Sequence, residues 1–515
     1  MVNKKMNYSR KKNALFNIII GYIAQLGILV LSFVGRKIFL HFLSIDYLGI
    51  NGLYSNILSV LSFAELGLDS AVVYSLYKPV AENDQPKIAA LIHYFKKIYF
   101  ALACVILLFG ISLIPFLKFI INSNLSYNDL VIYYILFLIN IVSSYFVAHK
   151  IALLSASQQQ RIQRIVSLIS SLLLQILHII ALCFFPNYYL YIIITVFNTI
   201  VYNICLGIIC DRIHPEIKES YKNVEIDKKQ IVKKIKATVL YRLGVVAINN
   251  TDNILISYIV STAAVGLYAN YFSLISAIQG FVSVINTSLI SGIGNLAAAE
   301  SRKRQYELFN LMLFFYHLIA AICGIGFSIL FNNVIELWIG KEYLFEQPIV
   351  YVIAFNYYLT NAINPIWMYR EANGLFDKVK FLVLIRALVN IVLSIVLGQW
   401  LGTFGILLAT TISLLVTSFW FEPTILFKTV FQRSQIEYWL KQIKYFLLTI
   451  FSLLICYNIF SLMSNSLISV LVEIIVVIII TVSLFVTVNI HQPEVKEMIM
   501  LIKQLLLNLT KKIKI

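Results

Sequence analysis

The chain has 515 residues, 60% hydrophobic and only 13% charged, with a mean hydropathy of +0.85. Soluble domains carry about a quarter charged residues, so a water-soluble enzyme or nucleic-acid-binding domain is excluded and a bilayer-embedded chain is expected. The net charge of +17 therefore asks which ends of the spans are basic, and calls for no nucleic-acid partner.

The first apolar run, 13–35, follows the basic MVNKKMNYSRKK and lacks a small-residue cleavage site, so it reads as a spanning helix rather than a signal peptide. At roughly twenty apolar residues per crossing, further runs follow at 47–77, 98–120, 129–149, 165–185, 188–210, 238–260, 265–294, 308–332, 347–368, 379–398, 402–427, 445–463 and 467–489. The expected fold class is thus an all-α polytopic membrane protein of fourteen helices.

With the N-terminus inside, 36 of the 41 Lys and Arg fall on the inner side. Only Arg36, Lys37, Lys118 and Lys341 lie outside, and Arg386 is within a span. This asymmetry predicts a multi-pass membrane protein with both termini cytoplasmic. All six Cys lie in apolar runs without a CxxC, and the seven His are scattered. Disulfides, a structural zinc and a metal-dependent enzyme are not expected.

The longest inner connection separates the helices into lobes. The expected division is an N-lobe (1–210), an inter-lobe loop (211–237), a C-lobe (238–428), two additional helices (429–490) and an amphipathic interfacial tail (491–515). An internal repeat crosses it: SIDYLGINGLYSN (44–56) aligns with STAAVGLYANYFS (261–273) at an offset of 217, matching Ser44 to Ser261, Gly49 to Gly266 and Tyr54 to Tyr271. Six helices per repeat is an even number, so the lobes enter the membrane in the same sense, as parallel pseudo-repeats.

The second run carries a polar stripe. At 100° per residue, Asn51, Tyr54, Ser55, Ser59, Ser62, Glu65 and Asp69 share an arc of roughly 140°, which predicts a polar cavity lining. Its repeat-mate carries Ser276, Gln279, Val282 and Asn286, polar but uncharged. Glu65 and Asp69, one turn apart, have two readings. They either bond neighbouring helices or bind a proton or monovalent cation. In the seventh run Arg242, Asn249, Asn250, Asn253 and Ser257 share a face with Asp252 at its edge, suited to helix packing or to substrate contact. Arg386 either snorkels to the inner face or presents its planar fork to a diphosphate. Most of the 31 Tyr are expected in interface belts, His178 as a satisfied packing residue, and Glu422 and Glu473 in inter-helix bonds.

FVGRKIFL, YLGINGLYSNILSVLSFAELGLDSAVVYSLYKPVAEND, NNTDNILIS and VGLYANY resemble the polysaccharide and oligosaccharide flippases of bacterial capsule, O-antigen and teichoic-type pathways, within the multidrug, oligosaccharidyl-lipid and polysaccharide exporter superfamily. The resemblance covers nearly the whole chain. It implies a V-shaped bundle that moves a polyprenyl-diphosphate-linked oligosaccharide to the outer leaflet by alternating access, the lipid tail remaining in the bilayer. Arg386, Arg242 and Arg36 are then the candidates for the diphosphate. Asn51, Ser55, Ser59, Ser62, Asn249, Asn250, Asn253, Gln279 and Asn286 are candidate cavity lining. Glu65, Asp69 and Asp252 are candidates for coupling to H⁺ or Na⁺, with no other cofactor implied. Membrane lipid, a polysaccharide polymerase and glycosyltransferases are candidate partners. Such flippases commonly place arginines in the first two helices, whereas this first helix is neutral until Arg36. A cation-coupled multidrug antiporter of the same superfamily is the alternative. An enzyme is not expected, because no large outer loop or DxD motif is present.

Overall fold

The computed structural model describes residues 25–218, 224, 226, 228–299, 301–460, 466–500 and 503. The expected first span and the tail lie partly outside these residues. Every regular element among the described residues is helical, and the protein is a multi-pass membrane protein. Ten segments are long and apolar enough to cross a bilayer. One of them, Phe376–Phe431, contains a reversal at Gly402 (φ 58°) and so holds two of the expected spans.

The chain forms two compact units, Met1–Val246 with Ser261–Gly266, and Ala247–Val260 with Leu267–Ile515. The division falls inside a helix, later than the loop expected to separate the lobes. The first unit contains α1 (Gln25–Phe42), α2 (Ile45–Leu61), α3 (Phe63–Glu82), α4 (Gln85–Ser112), α5 (Leu117–Ile120), α6 (Tyr127–Ala156), α7 (Gln160–Phe184) and α8 (Tyr188–Ile213). Next come α9 (Lys228–Ile259) and α10 (Thr262–Ala299), each divided between the units. The second unit continues with α11 (Arg302–Trp338), α12 (Gln347–Ala372), α13 (Phe376–Val416), α14 (Ser418–Leu426), α15 (Ile436–Phe460), α16 (Leu467–Asn489) and a last helical stretch, α17, over 493–500.

Polar residues cap the starts of the helices, two of which begin well before the expected apolar runs, α4 at Gln85 rather than 98 and α11 at Arg302 rather than 308. Asp84 Oδ1 accepts the Lys87 N–H at 3.1 Å and starts α4, and Ser126 Oγ accepts the Asp129 N–H at 3.2 Å and starts α6. At the offset of the repeat, Ser301 Oγ accepts the Arg304 N–H at 3.4 Å and starts α11.

Two expected spans are broken. The run 47–77 is two helices, because the Ser62 hydroxyl donates to the Leu58 carbonyl at 2.8 Å and the backbone there departs to φ −87°, ψ 6°. The run 402–427 breaks at Thr417, between α13 and α14.

The tyrosines correct a further expectation. Tyr54, Tyr99, Tyr134, Tyr145, Tyr271, Tyr316, Tyr369, Tyr438 and Tyr445 are among the most completely buried side chains rather than an interfacial belt. Burial is tolerated where the hydroxyl finds a partner: Tyr54 donates to the Leu130 carbonyl at 2.7 Å, Tyr271 to Asn332 Oδ1 at 2.6 Å and Tyr369 to the Gln305 carbonyl at 2.9 Å.

In the second unit α11 packs against α12, α15 and α16. Phe309, Phe314, Tyr316, Tyr438, Tyr445 and Phe485 fill the core between them. The two additional helices therefore belong to this unit's core. α17 is also docked: Val495 is fully buried, Glu494 pairs with Lys441 at 2.8 Å, and Glu497 pairs with Arg304 at 2.7 Å. Glu422 bonds a neighbouring helix through Arg370 at 2.5 Å, both side chains being buried. Glu473 is buried with Oε2 unpartnered among the described residues. His178 bonds Thr195 at 3.0 Å and stacks on Tyr191 at 3.7 Å.

Candidate functional site

The repeat-related starts of α2 and α10 meet within the first unit. A Cβ on Gly49 would collide with the Thr262 carbonyl, and a Cβ on Gly266 would collide with the Ile45 carbonyl. Ile45 and Thr262 are themselves separated by the repeat offset, as are Gly49 and Gly266, so the contact is reciprocal, like that across a two-fold axis. Small residues are what allow helix backbones in a membrane to approach this closely. Gly52, one turn on, leaves ordinary room: its Cβ would lie 3.4 Å from Val265 Cγ1.

Below that crossing, the polar stripe is only partly a free lining. The hydroxyl of Ser55 donates back to the Asn51 carbonyl at 2.7 Å, as Ser62 does to Leu58. Asn51 and Ser59 are half-buried. Tyr54, expected on the same arc, is a core residue. Glu65 stands on α3, and its side chain lies outside the described residues. Asp69 is exposed and accepts a hydrogen bond from the buried Tyr99 of α4.

The second unit repeats this bond. Asn286 on α10 accepts from the Tyr316 hydroxyl on α11, and both residues lie at the repeat offset from Asp69 and Tyr99. An amide oxygen thus fills in one unit the acceptor role that a carboxylate fills in the other. The helix-bonding function of Asp69 does not require its charge. Asp69→Asn is accordingly expected to keep the fold and the Tyr99 bond. If transport falls by more than about tenfold while Tyr99→Phe changes it less than threefold, the charge itself is needed; equal, full activity in both variants would remove Asp69 from coupling. Of the rest of this face, Gln279 is half-buried and Ser276 is exposed with its hydroxyl on the Ser273 carbonyl at 3.0 Å.

A second polar centre lies within the second unit, and sequence reasoning had divided its members between roles. Asp252 Oδ2 on α9 accepts from Thr410 Oγ1 at 2.8 Å, and Thr410 in turn accepts from Asn390 Nδ2 at 3.0 Å. The charge of Arg386, one turn before Asn390 on α13, acts on Asp252. Arg386 is buried, with its guanidinium 5.9 Å from the centre of the Trp367 ring. Asp252 Oδ1, Asn253 Oδ1, Asn390 Oδ1 and Ser394 Oγ are buried and unpartnered among the described residues. Asn249 is exposed, Asn250 half-buried and Ser257 fully buried. A neighbouring bond joins Thr411 Oγ1 to Asn356 Oδ1 at 2.6 Å. The candidate coupling acid is thus bonded to Thr410 and Asn390, and the charge of a candidate diphosphate-binding arginine acts on it.

The other two arginines are in the first unit. Arg36 is half-buried beside Tyr191. Arg242 is half-buried, and its Nε is unpartnered among the described residues. Sequence reasoning missed Tyr99, Tyr316, Asn390 and Thr410. The tyrosines carried a signal, since they match at the same offset as Gly49 and Gly266. Asn390 and Thr410 carried none, being one amide and one hydroxyl within apolar runs.

Comparison with solved structures places this architecture. The lipid II flippase MurJ, in an inward closed conformation, superposes with a TM-score of 0.68 over 92% of this chain and 99% of its own, at 16% identity. The chain has the fold of the MOP exporter superfamily. An inward-facing multidrug resistance MATE family transporter of that superfamily gives a TM-score of 0.55 over 76% of this chain and 96% of its own, at 12% identity. A point mutant of the Vibrio cholerae MATE transporter VcmN gives 0.52 over 81% and 98%, at 14% identity. No protein-family model and no curated protein sequence matches the chain.

Proposed function

We propose that this protein is a flippase that carries polyprenyl-diphosphate-linked oligosaccharide repeat units from the cytoplasmic to the outer leaflet by alternating access, for cell-surface polysaccharide assembly. The observation that carries the reading is the extent of the likeness to the lipid II flippase, 92% of this chain against 76% and 81% for the two multidrug transporters. A lipid-linked anion also suits a protein that carries arginines within its helices. Arg242, whose Nε is buried and unpartnered among the described residues, is the preferred diphosphate ligand, with Arg36 and Arg386 as the further candidates. A guanidinium fork matches two phosphoryl oxygens at once.

The test is reconstitution in liposomes with a fluorescent polyprenyl-diphosphate oligosaccharide, following loss of headgroup accessibility from one leaflet. Arg242→Gln is expected to slow translocation by about tenfold or more, the loss of one charge-assisted contact, without changing thermal stability. An unchanged rate would remove Arg242 from the substrate path.

The alternative, a cation-coupled multidrug antiporter, draws on Asp252, a carboxylate bonded by Thr410 with its other oxygen buried and unpartnered among the described residues. Raised drug resistance with no flipping of the lipid-linked substrate would favour it. In either reading the acids that would couple H⁺ or Na⁺ movement are Glu65, Asp69 and Asp252.

A further inference from the structure

The repeat exposes a difference between the units. In the second unit one face of α11 is sealed by the two additional helices: Phe314 packs on Tyr445 and Phe485, His317 bonds Gln442 at 2.8 Å, and Ile325 packs with Cys456, Phe460 and Val477. At the repeat offset these three positions are Lys97, Phe100 and Leu108 of α4. Nothing in the first unit covers them among the described residues. Phe100 is 57% and Leu108 68% exposed, whereas Ile325 is 1% exposed.

What should cover this face follows from its chemistry. At its polar end His93, Lys96, Lys97, Phe100, Tyr145 and Phe146 line a cavity of about 400 Å³ between α4 and α6. Lys96 and Lys97 are exposed and pair with no described carboxylate. The nearby Lys150 is already neutralised by Asp211 at 2.7 Å. Phe100 and Phe146 stand side by side, ring centres 6.3 Å apart, both exposed. Beyond them α4 turns wholly apolar, with Val105, Leu107, Leu108 and Phe109 exposed. The order along the helix is cationic, then aromatic, then aliphatic, which is the order headgroup, interface and acyl region in one leaflet. A second helix pair such as α15 and α16 would bury two lysines without partners, at a cost of several kcal/mol per ion.

We infer that this face of the first unit is a binding site for an anionic phospholipid. Its phosphate lies between Lys96 and Lys97, and its acyl chains run along Phe100 and Leu108 in the place that α15 and α16 occupy in the second unit. Each lysine near a membrane surface contributes about 1 kcal/mol towards an anionic lipid. Their flexible ammonium groups suit a mobile monoester or diester headgroup, whereas no arginine fork is present in the cavity lining.

The test is native mass spectrometry of the full-length protein in a neutral detergent, titrated separately with dioleoylphosphatidylglycerol, dioleoylphosphatidylcholine and a short polyprenyl diphosphate. Phosphatidylglycerol is expected to bind about tenfold or more tightly than phosphatidylcholine. K96Q/K97Q is expected to abolish that preference. K96R/K97R, and Lys118→Gln outside the cavity, are expected to keep it, which excludes misfolding as the cause. Equal binding of the two phospholipids, or an unchanged preference in K96Q/K97Q, would overturn the inference. So would a polyprenyl diphosphate that binds more tightly than phosphatidylglycerol and loses its advantage in K96Q/K97Q, since the site would then belong to the transported lipid.

Discussion

Gly49→Ala is expected to abolish transport and lower the apparent melting temperature, while Gly52→Ala leaves both close to the parent protein. The added methyl on Gly49 meets the backbone carbonyl of Thr262, and a carbonyl within a helix cannot rotate away as a side-chain tip can. Forcing extra atoms into such a contact costs about 1–3 kcal/mol when neighbours yield and more when they are backbone. Gly266→Ala should do the same through the Ile45 carbonyl. Because both changes push on one crossing, the double variant should lose less than the sum of the singles. Thermal unfolding followed by size-exclusion chromatography measures this directly. A Gly49→Ala protein as stable and active as Gly52→Ala would show that the two helix starts do not touch as described.

The second large effect is expected at Asp252. Asp252→Asn retains an acceptor for Thr410 but removes the carboxylate whose charge acts on Arg386. The substitution withdraws an attraction that acts on a buried guanidinium, so the single variant is expected to be destabilised. Arg386→Leu should also destabilise, and because the two charges act on each other the double variant should lose less than the sum of the singles. A different pattern marks an ion-coupling carboxylate. If Asp252→Asn is stable yet inactive, and the double variant is no more active, the carboxylate serves translocation rather than neutralising Arg386. The two outcomes separate on stability alone, before any transport measurement.

Much of the architecture was legible in the sequence, because lipid-soluble runs announce themselves by length and the 217-residue offset survives in glycines that only a close approach requires. The same offset pairs Asp69 with Asn286 and Tyr99 with Tyr316, and this links a side-chain bond in one unit to its counterpart in the other. What the period missed was local competition and distant partnership. Ser62 breaks a run that reads as one helix because its hydroxyl bonds a carbonyl one turn back. Tyrosines read as interfacial because their hydroxyls are amphipathic, yet Tyr54 and Tyr369 are buried because distant backbone carbonyls accept those hydroxyls, at sequence separations of 76 and 64. Arg386 read either as a snorkelling residue or, through its planar fork, as a phosphate ligand. Asp252, the carboxylate on which its charge acts, lies on α9, which no pattern along α13 discloses.

The central claim is tested most directly in a bacterial strain lacking its own capsule or O-antigen flippase, by quantifying lipid-linked repeat units retained on the cytoplasmic face. Expression of this protein is predicted to relieve that accumulation for at least one class of repeat unit and to restore surface polysaccharide, with Arg242→Gln failing to do so at equal expression. Undiminished accumulation with every repeat unit tried, together with raised resistance to cationic drugs, would contradict the flippase account.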